Sequence, residues 1–492
     1  MPLVSLIAEG VGPFKSLELD LSNGRGEPHL GPHILAGVNG SGKSTVLRTI
    51  AWVLDRGQCG FPHDEWQQML RGHETSRALL AMRPHGLHPI VWACSKGSGD
   101  GVKESLEVWA RRSASRVAGE SSMIEPAVEI GPRMGAAPGQ LTRNRRGHGL
   151  RPASGPDNTW IRFPQLDAPA NLPGGRLFNY AAYSPSRALR HLSAPDLSAA
   201  FPEPSSDCLA FESTVQNEAI QSWLLSLYSK RAIARDSGQT GEKYTQSLER
   251  FEAALSKICN QRVSFDVDIE PQLQPCIRMS GHRLNFSQLP DGVRSTIAWV
   301  ADFMMREDLV EWDPALAGRR PGVLLLDEVD VHLHPIWQRR VLPAMREALP
   351  DVQIIATSHS PFVISSCPNS KVHVLDLDAN GEAHVRPPVD APIGDSVMTT
   401  LKGIFGVDSR FDILTERELN EWDELKRHEV TGDLPSKGKD RLNLLTTRLS
   451  ERSEELRALV AAPRQMPKAL LDDLLGTNRP AGKPGRNRRV RA

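Results

Sequence analysis

Strict alternation of apolar and polar residues marks Val263-Ser264-Phe265-Asp266-Val267-Asp268-Ile269 as a half-buried strand, with a partner expected at Cys276-Ile277-Arg278-Met279. Two other segments are apolar without alternation, Gly322-Val323-Leu324-Leu325-Leu326 and Val352-Gln353-Ile354-Ile355-Ala356-Thr357, as in strands of parallel sheets covered on both faces. A helix expected over residues 335 to 348 between them completes a strand, helix, strand unit, whose functional edge is the C-terminal one. Earlier, His33-Ile34-Leu35-Ala36 reads as a short buried strand, and residues 45 to 54 carry helical apolar spacing. Segments 3 to 8 and 17 to 21 read as two strands around a turn at Gly10 to Lys15, expected to share a sheet with residues 33 to 36. Strand-like pieces at 89 to 93 and 106 to 110 are expected to complete it.

Beyond this the pattern changes several times. Residues 126 to 175 are crowded with Pro and Gly and read as an irregular insertion. A strand is expected at 177 to 183, followed by Ser184-Pro185-Ser186-Arg187, and helices over 213 to 235 and 243 to 259. In the second helix Tyr244, Leu248, Phe251, Leu255 and Ile258 form one apolar stripe, suited to packing against the body of the protein or to a short helical arm. Another helix is expected to open after Gly292. Residues 391 to 476 are polar and helical, with Leu419, Trp422 and Leu425 marking one helix. Leu442, Leu445, Leu449, Leu456 and Leu459 form a seam interrupted by Arg452, and the Gly, Pro and Arg rich tail from 477 to 492 is expected to be disordered. The domains expected are thus 1–125, 126–175, 176–260, 261–390, 391–476 and 477–492.

A length of 492 residues fits two to four domains or lobes, and Lys plus Arg balance Asp plus Glu at 59 each, so any nucleic-acid or membrane surface must be local. A basic cluster in the insertion, Arg143, Arg145, Arg146 and Arg151, lacks interleaved aromatics for base stacking and reads first as a solvated loop, with phosphate contact as the alternative. The cysteines, Cys59, Cys94, Cys208, Cys259, Cys276 and Cys367, are scattered without a C-x-x-C pair, as in a reducing compartment. With neither a signal-peptide layout at residues 1 to 5 nor an apolar run of roughly 20 residues, a cytoplasmic location and no membrane association are expected.

The candidate chemistry is concentrated in four places. Gly37-x4-Gly42-Lys43-Ser44, set between strand and helix, fits a phosphate-binding loop. Asn39, Gly40, Ser41, Gly42, Lys43, Ser44 and Thr45 would cradle phosphates, with Lys43 reaching the β and γ groups and the Ser44 hydroxyl on Mg²⁺. Asp327-Glu328 ends an apolar strand, where one carboxylate can hold Mg²⁺ and the other polarise an attacking water. In Ala356-Thr357-Ser358-His359-Ser360-Pro361, His359 follows a strand and can contact a γ-phosphate or orient the water. Leu289-Pro290-Asp291-Gly292 precedes a helix and offers N-terminal backbone dipoles.

Together these strings resemble the RecF, SMC and OLD group of ABC-type ATPases. Leu326-Asp327-Glu328-Val329-Asp330-Val331-His332-Leu333-His334-Pro335, Trp337-Gln338-Arg339-Arg340 and Thr357-Ser358-His359-Ser360-Pro361 look like the RecF-related ATPases of bacterial anti-phage systems, of Septu and retron type. The resemblance is specific over 1 to 55 and 286 to 366, loose over 391 to 430 and absent over 56 to 285. It implies an α/β fold like an ABC or SMC head, with a mixed sheet, a helical and irregular insertion and a helical C-terminal region. It also implies an ATPase using ATP and Mg²⁺, with Glu328 and His359 catalytic, Ser44 and Asp327 on the metal, and Leu289, Asp291 and Gly292 as a signature loop contacting ATP held by a second copy. Asp330 would approach that dimer interface. The usual Leu-Ser-x-Gly becomes Leu289-Pro290-Asp291-Gly292, so proline replaces the serine, and Ser287 or Ser295 are the candidate substitutes. His332 and His334, two apart, read as part of the turn after the carboxylates rather than as metal ligands, since no third ligand is apparent. No nuclease pattern follows the ATPase core, so the resemblance implies a separate effector such as a nuclease, docking on 391–476. The alternatives are a DNA-binding repair or chromosome-maintenance ATPase and a non-hydrolysing ATP-bound scaffold.

Overall fold

The structure, a computed structural model, describes residues 2–55, 76–83, 90–96, 129–132, 158–162, 178–187, 201–270 and 274–461. The expected strand at 106 to 110, the arginine cluster and the basic tail lie outside them. The chain divides into two compact units, residues 1–394 and 395–492.

The first unit begins with β1 (Leu3–Val11), β2 (Phe14–Asp20), β3 (His33–Gly37), α1 (Lys43–Leu54), β4 (Ser76–Met82) and β5 (Ile90–Lys96). Then come β6 (Glu129–Pro132), β7 (Asn158–Arg162), β8 (Asn179–Tyr183), α2 (Asn217–Asp236), α3 (Glu242–Cys259), β9 (Val263–Asp268), β10 (Gln274–Met279), β11 (His282–Asn285) and α4 (Asp291–Leu309). The unit continues through β12 (Gly322–Leu326), α5 (Pro335–Gln338), α6 (Val341–Ala348), β13 (Val352–Thr357), α7 (Pro361–Ile364), β14 (Lys371–Leu377), β15 (Ala383–Val385) and β16 (Val389–Asp390).

A mixed sheet runs β15-β14-β3-β13-β12-β8, with β16 on β14, and its strands from β14 to β8 are parallel. Every residue of β3, β12 and β13 is buried, as their unbroken apolar runs require. A six-stranded antiparallel sheet runs β2-β1-β4-β5-β7-β6, and a smaller one β11-β10-β9 pairs Ile277 with Phe265 in the register the alternation set.

Three expectations need correction. β3 does not share a sheet with β1 and β2: β2 alternates between buried and exposed and suits an edge, whereas β3 is buried throughout and needs both faces covered. Within 126–175, read as irregular, β6 and β7 pair with each other and β7 pairs with β5, since Thr159-Trp160-Ile161 are strand-forming residues among the Pro and Gly. The single helix expected over 335 to 348 is two, α5 and α6. In one continuous helix Pro343 would lack the N–H owed to the Arg339 carbonyl and its ring would strike it, so the break falls at Arg339 and Arg340.

Two buried polar networks tie the unit together. On β13, Gln353 accepts from Leu3 N–H at 2.7 Å and donates to Leu3 O at 3.0 Å, pairing the first residue of one sheet with the middle of the other. Beside it His33 Nδ1 lies 3.0 Å from His373 Nε2, and burial pushes both imidazoles down, His373 to about 4. On α4, Asp302 accepts from Tyr183 OH and Arg306 Nε, both at 2.7 Å, and Arg306 donates onward to the carbonyls of Pro204, Ser206 and Thr214. The apolar stripe of α3 turns inward, with Leu248, Phe251, Leu255 and Ile258 buried.

The second unit contains α8 (Val397–Phe405), α9 (Ile413–Thr431), α10 (Ser436–Arg452) and α11 (Glu454–Ala461). Trp422, Leu434, Leu442, Leu445, Leu449, Leu456 and Val460 form its core, with Leu419, Leu425 and Leu459 partly buried against it. Arg452 fits the seam by bonding Thr415 Oγ1 at 2.8 Å and pairing with Glu418 at 2.7 Å. Among the described residues no helix is long and apolar enough to cross a membrane.

Candidate nucleotide site

The order β3-β13-β12 places the C-terminal ends of three parallel strands side by side, each followed by one of the motifs. After β3, Gly40 and Gly42 take left-handed backbone (φ 80° and 91°) to wrap the loop, and α1 starts at Lys43 without a side-chain cap, leaving its first N–H groups for a ligand. A Cβ on Gly42 would overlap the Phe14 ring, which packs the β1–β2 turn beneath the loop. Lys43, 7% exposed, donates to Gly37 O at 3.1 Å and Val38 O at 2.8 Å, and burial pulls its ammonium below the usual lysine range. The Ser41 hydroxyl is buried without a partner, an unspent donor inside the loop.

After β12, Asp327 Oδ1 accepts from Ser44 Oγ at 2.9 Å and from Thr357 Oγ1 at 2.7 Å. The Ser44 contact joins residues 283 apart in sequence, and the pair offers the hard oxygen donors that Mg²⁺ prefers. Glu328, at φ 46°, has its N–H 2.6 Å from Thr357 Oγ1. After β13, His359 is lowered by burial and then by the Lys43 charge, so it is neutral at pH 7 and can accept or donate a hydrogen bond without adding charge.

Gln338 links the last two loops. Its Oε1 accepts from Ser360 Oγ at 2.7 Å, and its Nε2 donates to Asp330 O at 3.2 Å and Leu333 O at 3.0 Å. Arg187, four residues beyond the end of β8, donates to Ser184 O at 2.9 Å, Asp327 O at 2.5 Å and Glu328 O at 3.0 Å. Gln338 lies in the Trp337-Gln338-Arg339-Arg340 string without its role being legible there, and Arg187 is marked by no recognisable motif. The only available signal for Arg187 was an arginine soon after a buried strand, and it becomes informative once β8 is known to lie beside β12.

The expected signature loop sits at the start of α4. Leu289 is 3% exposed, and Gly292 is buried where a Cβ would overlap the His332 carbonyl oxygen. Gly292 therefore serves close packing of α4 on the turn after β12, and Leu289 serves the core. Pro290 and Asp291 are exposed, with Asp291 paired to Arg294 and held below the usual carboxylate range by that bond. His334 caps α5 through Ile336 N–H at 3.3 Å, and among the described residues no three His, Cys, Asp or Glu side chains group as a metal site.

Residues 225–365 match a family model described as "AAA domain, putative AbiEii toxin, Type IV TA system". A "Retron Vc95 probable ATPase" of Vibrio cholerae serotype O1 biovar El Tor is 27% identical over 202 residues, 38% of this chain and 39% of its own length. A "Septu protein PtuA" of Bacillus thuringiensis is 33% identical over 90 residues, 18% of this chain and 23% of its own length. The chain thus spans well under half the length of either relative. Among solved structures, an SMC head domain from Thermotoga maritima is similar at 14% identity and a TM-score of 0.38, over 79% of this chain and 99% of that one, too distant to add to the geometry above.

Proposed function

We propose that this relative of the retron and Septu ATPases binds ATP with Mg²⁺ at the β3-β13-β12 edge and hydrolyses it. The observation that carries the reading is the Ser44–Asp327 hydrogen bond of 2.9 Å, which brings the phosphate loop and the acidic strand end into one site. Asn39 to Thr45 cradle the phosphates, and Lys43 moves from its loop carbonyls to the β and γ groups. Ser44 and Asp327 hold Mg²⁺, which supplies charge neutralisation on the phosphates. Glu328 polarises the attacking water, and neutral His359 contacts the γ-phosphate or orients that water.

In this reading the protein is a cytoplasmic sensor or regulatory subunit of an anti-phage defence complex. It dimerises around ATP through Asp291 and the first turn of α4, and it engages a separate effector such as a nuclease through 391–476. A non-hydrolysing scaffold is the second reading, favoured by Pro290 standing where the signature serine is expected.

Steady-state phosphate release, with Lys43→Ala as blank, separates the two. Glu328→Gln is expected to lower release by about 10³-fold while ATP binding persists, and to accumulate an ATP-dependent dimer by light scattering. Release from the parent no faster than from the blank would favour the scaffold, and a monomeric Glu328→Gln protein at saturating ATP would count against the sandwich.

A further inference from the structure

Glu328 is one of eight non-glycine residues with positive φ among those described, and it is held there from both sides. Its N–H meets Thr357 Oγ1 at 2.6 Å, and its carbonyl accepts from Arg187 Nη2 at 3.0 Å. Arg187 Nη1 also bonds the preceding carbonyl, Asp327 O, at 2.5 Å, so one guanidinium spans two successive peptide units. It reaches them because the chain turns sharply after β8. Ser184 Oγ accepts from Ser186 N–H at 3.2 Å, and Ser184 O accepts from Arg187 itself at 2.9 Å. β8 lies beside β12 with Tyr183 opposite Leu326, which sets this turn against the acidic strand end.

Arg187 is a poor choice for stability alone. The residue is 2% exposed, its Nε is buried without an acceptor, and its fixed acceptors are neutral carbonyls. Burial lowers the guanidinium to about 10 despite the nearby carboxylates of Asp327, Asp330 and Glu328. An apolar side chain of similar volume avoids both the desolvation and the unspent donor. What the planar fork supplies, and neither an apolar group nor an ammonium can, is several donors fixed in one plane against two carbonyls.

We propose that Arg187 is a positioning residue that clamps the Asp327 and Glu328 peptides and fixes the left-handed turn aiming the Glu328 carboxylate into the nucleotide site. This role rests on the reading of the site as an ATP hydrolase. The Asp327 carboxylate is held independently by Ser44 and Thr357, so Arg187 acts through Glu328, needs no contact with nucleotide, and its loss slows turnover without weakening ATP binding.

The test is ATP hydrolysis by the full-length chain carrying Arg187→Lys, with Arg187→Gln as a second variant should a buried ammonium prevent folding, each checked by thermal melting. Expected is a fall in kcat of about a hundredfold, the scale of a misplaced catalytic group, with KM for ATP unchanged. In the Glu328→Gln background, Arg187→Lys should slow hydrolysis no further, because the group it positions is already gone. An unchanged kcat, a loss confined to KM, or a full additional loss in the double variant would overturn the role. If the parent itself releases phosphate no faster than Lys43→Ala, the hydrolase reading fails and this role fails with it. Parent turnover with an undiminished Arg187→Lys variant overturns the role alone.

Discussion

In the helical second unit the only left-handed residues among those described are Gly406 and Gly432, each closing a helix, whereas at the edge of the parallel sheet Glu328 and His332 occupy the same backbone region at φ 46° and 62°. Glycine enters that region without steric cost, and a residue with a side chain does not. The cations differ in the same way. Arg441 meets Glu421 through two 2.7 Å bonds at a half-exposed surface, while Arg187 is buried against carbonyls. One unit follows local preference and is stabilised by an apolar seam. The other departs from it at eight non-glycine residues among those described, and the two at the sheet edge are flanked by bonds that Arg187 and Gln338 donate and Thr357 accepts. Backbone strain at a strand end that is fully supported by its neighbours is a mark of function.

The contrast can be broken most severely from the second unit. Leu445 is fully buried in its core, and Leu445→Ala should cost about 2–5 kcal/mol, lowering the melting transition of that unit while leaving phosphate release unchanged. A matching loss of turnover would show that the units are energetically coupled.

Acid should separate the units in the opposite sense. His33 and His373 are both lowered by burial, so their neutral forms stabilise the folded first unit fully above about pH 6.5, the unfolded value. That contribution is lost as pH falls from about 6.5 towards the folded value of about 4 for His373, at about 1.4 kcal/mol per pH unit for each proton taken up. In the second unit, Asp412 and Glu421 are held below their usual range by Thr415 and Arg441, so their contribution persists through this window and is lost only at lower pH. Buried Glu307, raised to about 7, gains stability over the same window and offsets one of the two histidines, so calorimetry between about pH 6.5 and 4.5 should show the first transition fall by the remaining difference while the second holds. Parallel shifts would remove the histidine pair as the cause.

The smallest expected effect is at a cap. Ser396 accepts from Thr399 N–H at 3.1 Å, and Ser396→Ala should cost roughly 1 kcal/mol, confined to α8 and visible as faster amide exchange in its first turn.

Local signals carried much of this fold. The glycine loop between β3 and α1, the buried runs of β12 and β13, the inward stripe of α3 and the leucines of α10 were legible because each depends on periodicity or on turn chemistry within a few residues. Sheet membership was not, because β3 is hydrogen-bonded to β13 and β14, more than 300 positions away, and nothing in its own five residues names those partners. The same distance hid Arg187, whose acceptors lie 140 and 141 positions on. Gly292 shows a different gap: a glycine opening a helix can present backbone to a ligand or admit a neighbouring chain, and its approach to the His332 carbonyl, the reason a Cβ cannot fit, was invisible in the sequence. The break before α6 was readable from Pro343, whose missing N–H forbids a continuous helix.

Gln338 has a mechanical consequence. Its carboxamide oxygen accepts the Ser360 hydroxyl, and its nitrogen serves the carbonyls of Asp330 and Leu333. Both ends of the amide are engaged, so the turn after β12 and the loop carrying His359 are geared as one plate. Displacement of either loop drags the other or breaks at least one of three hydrogen bonds, and the two strand ends therefore share a single stiffness.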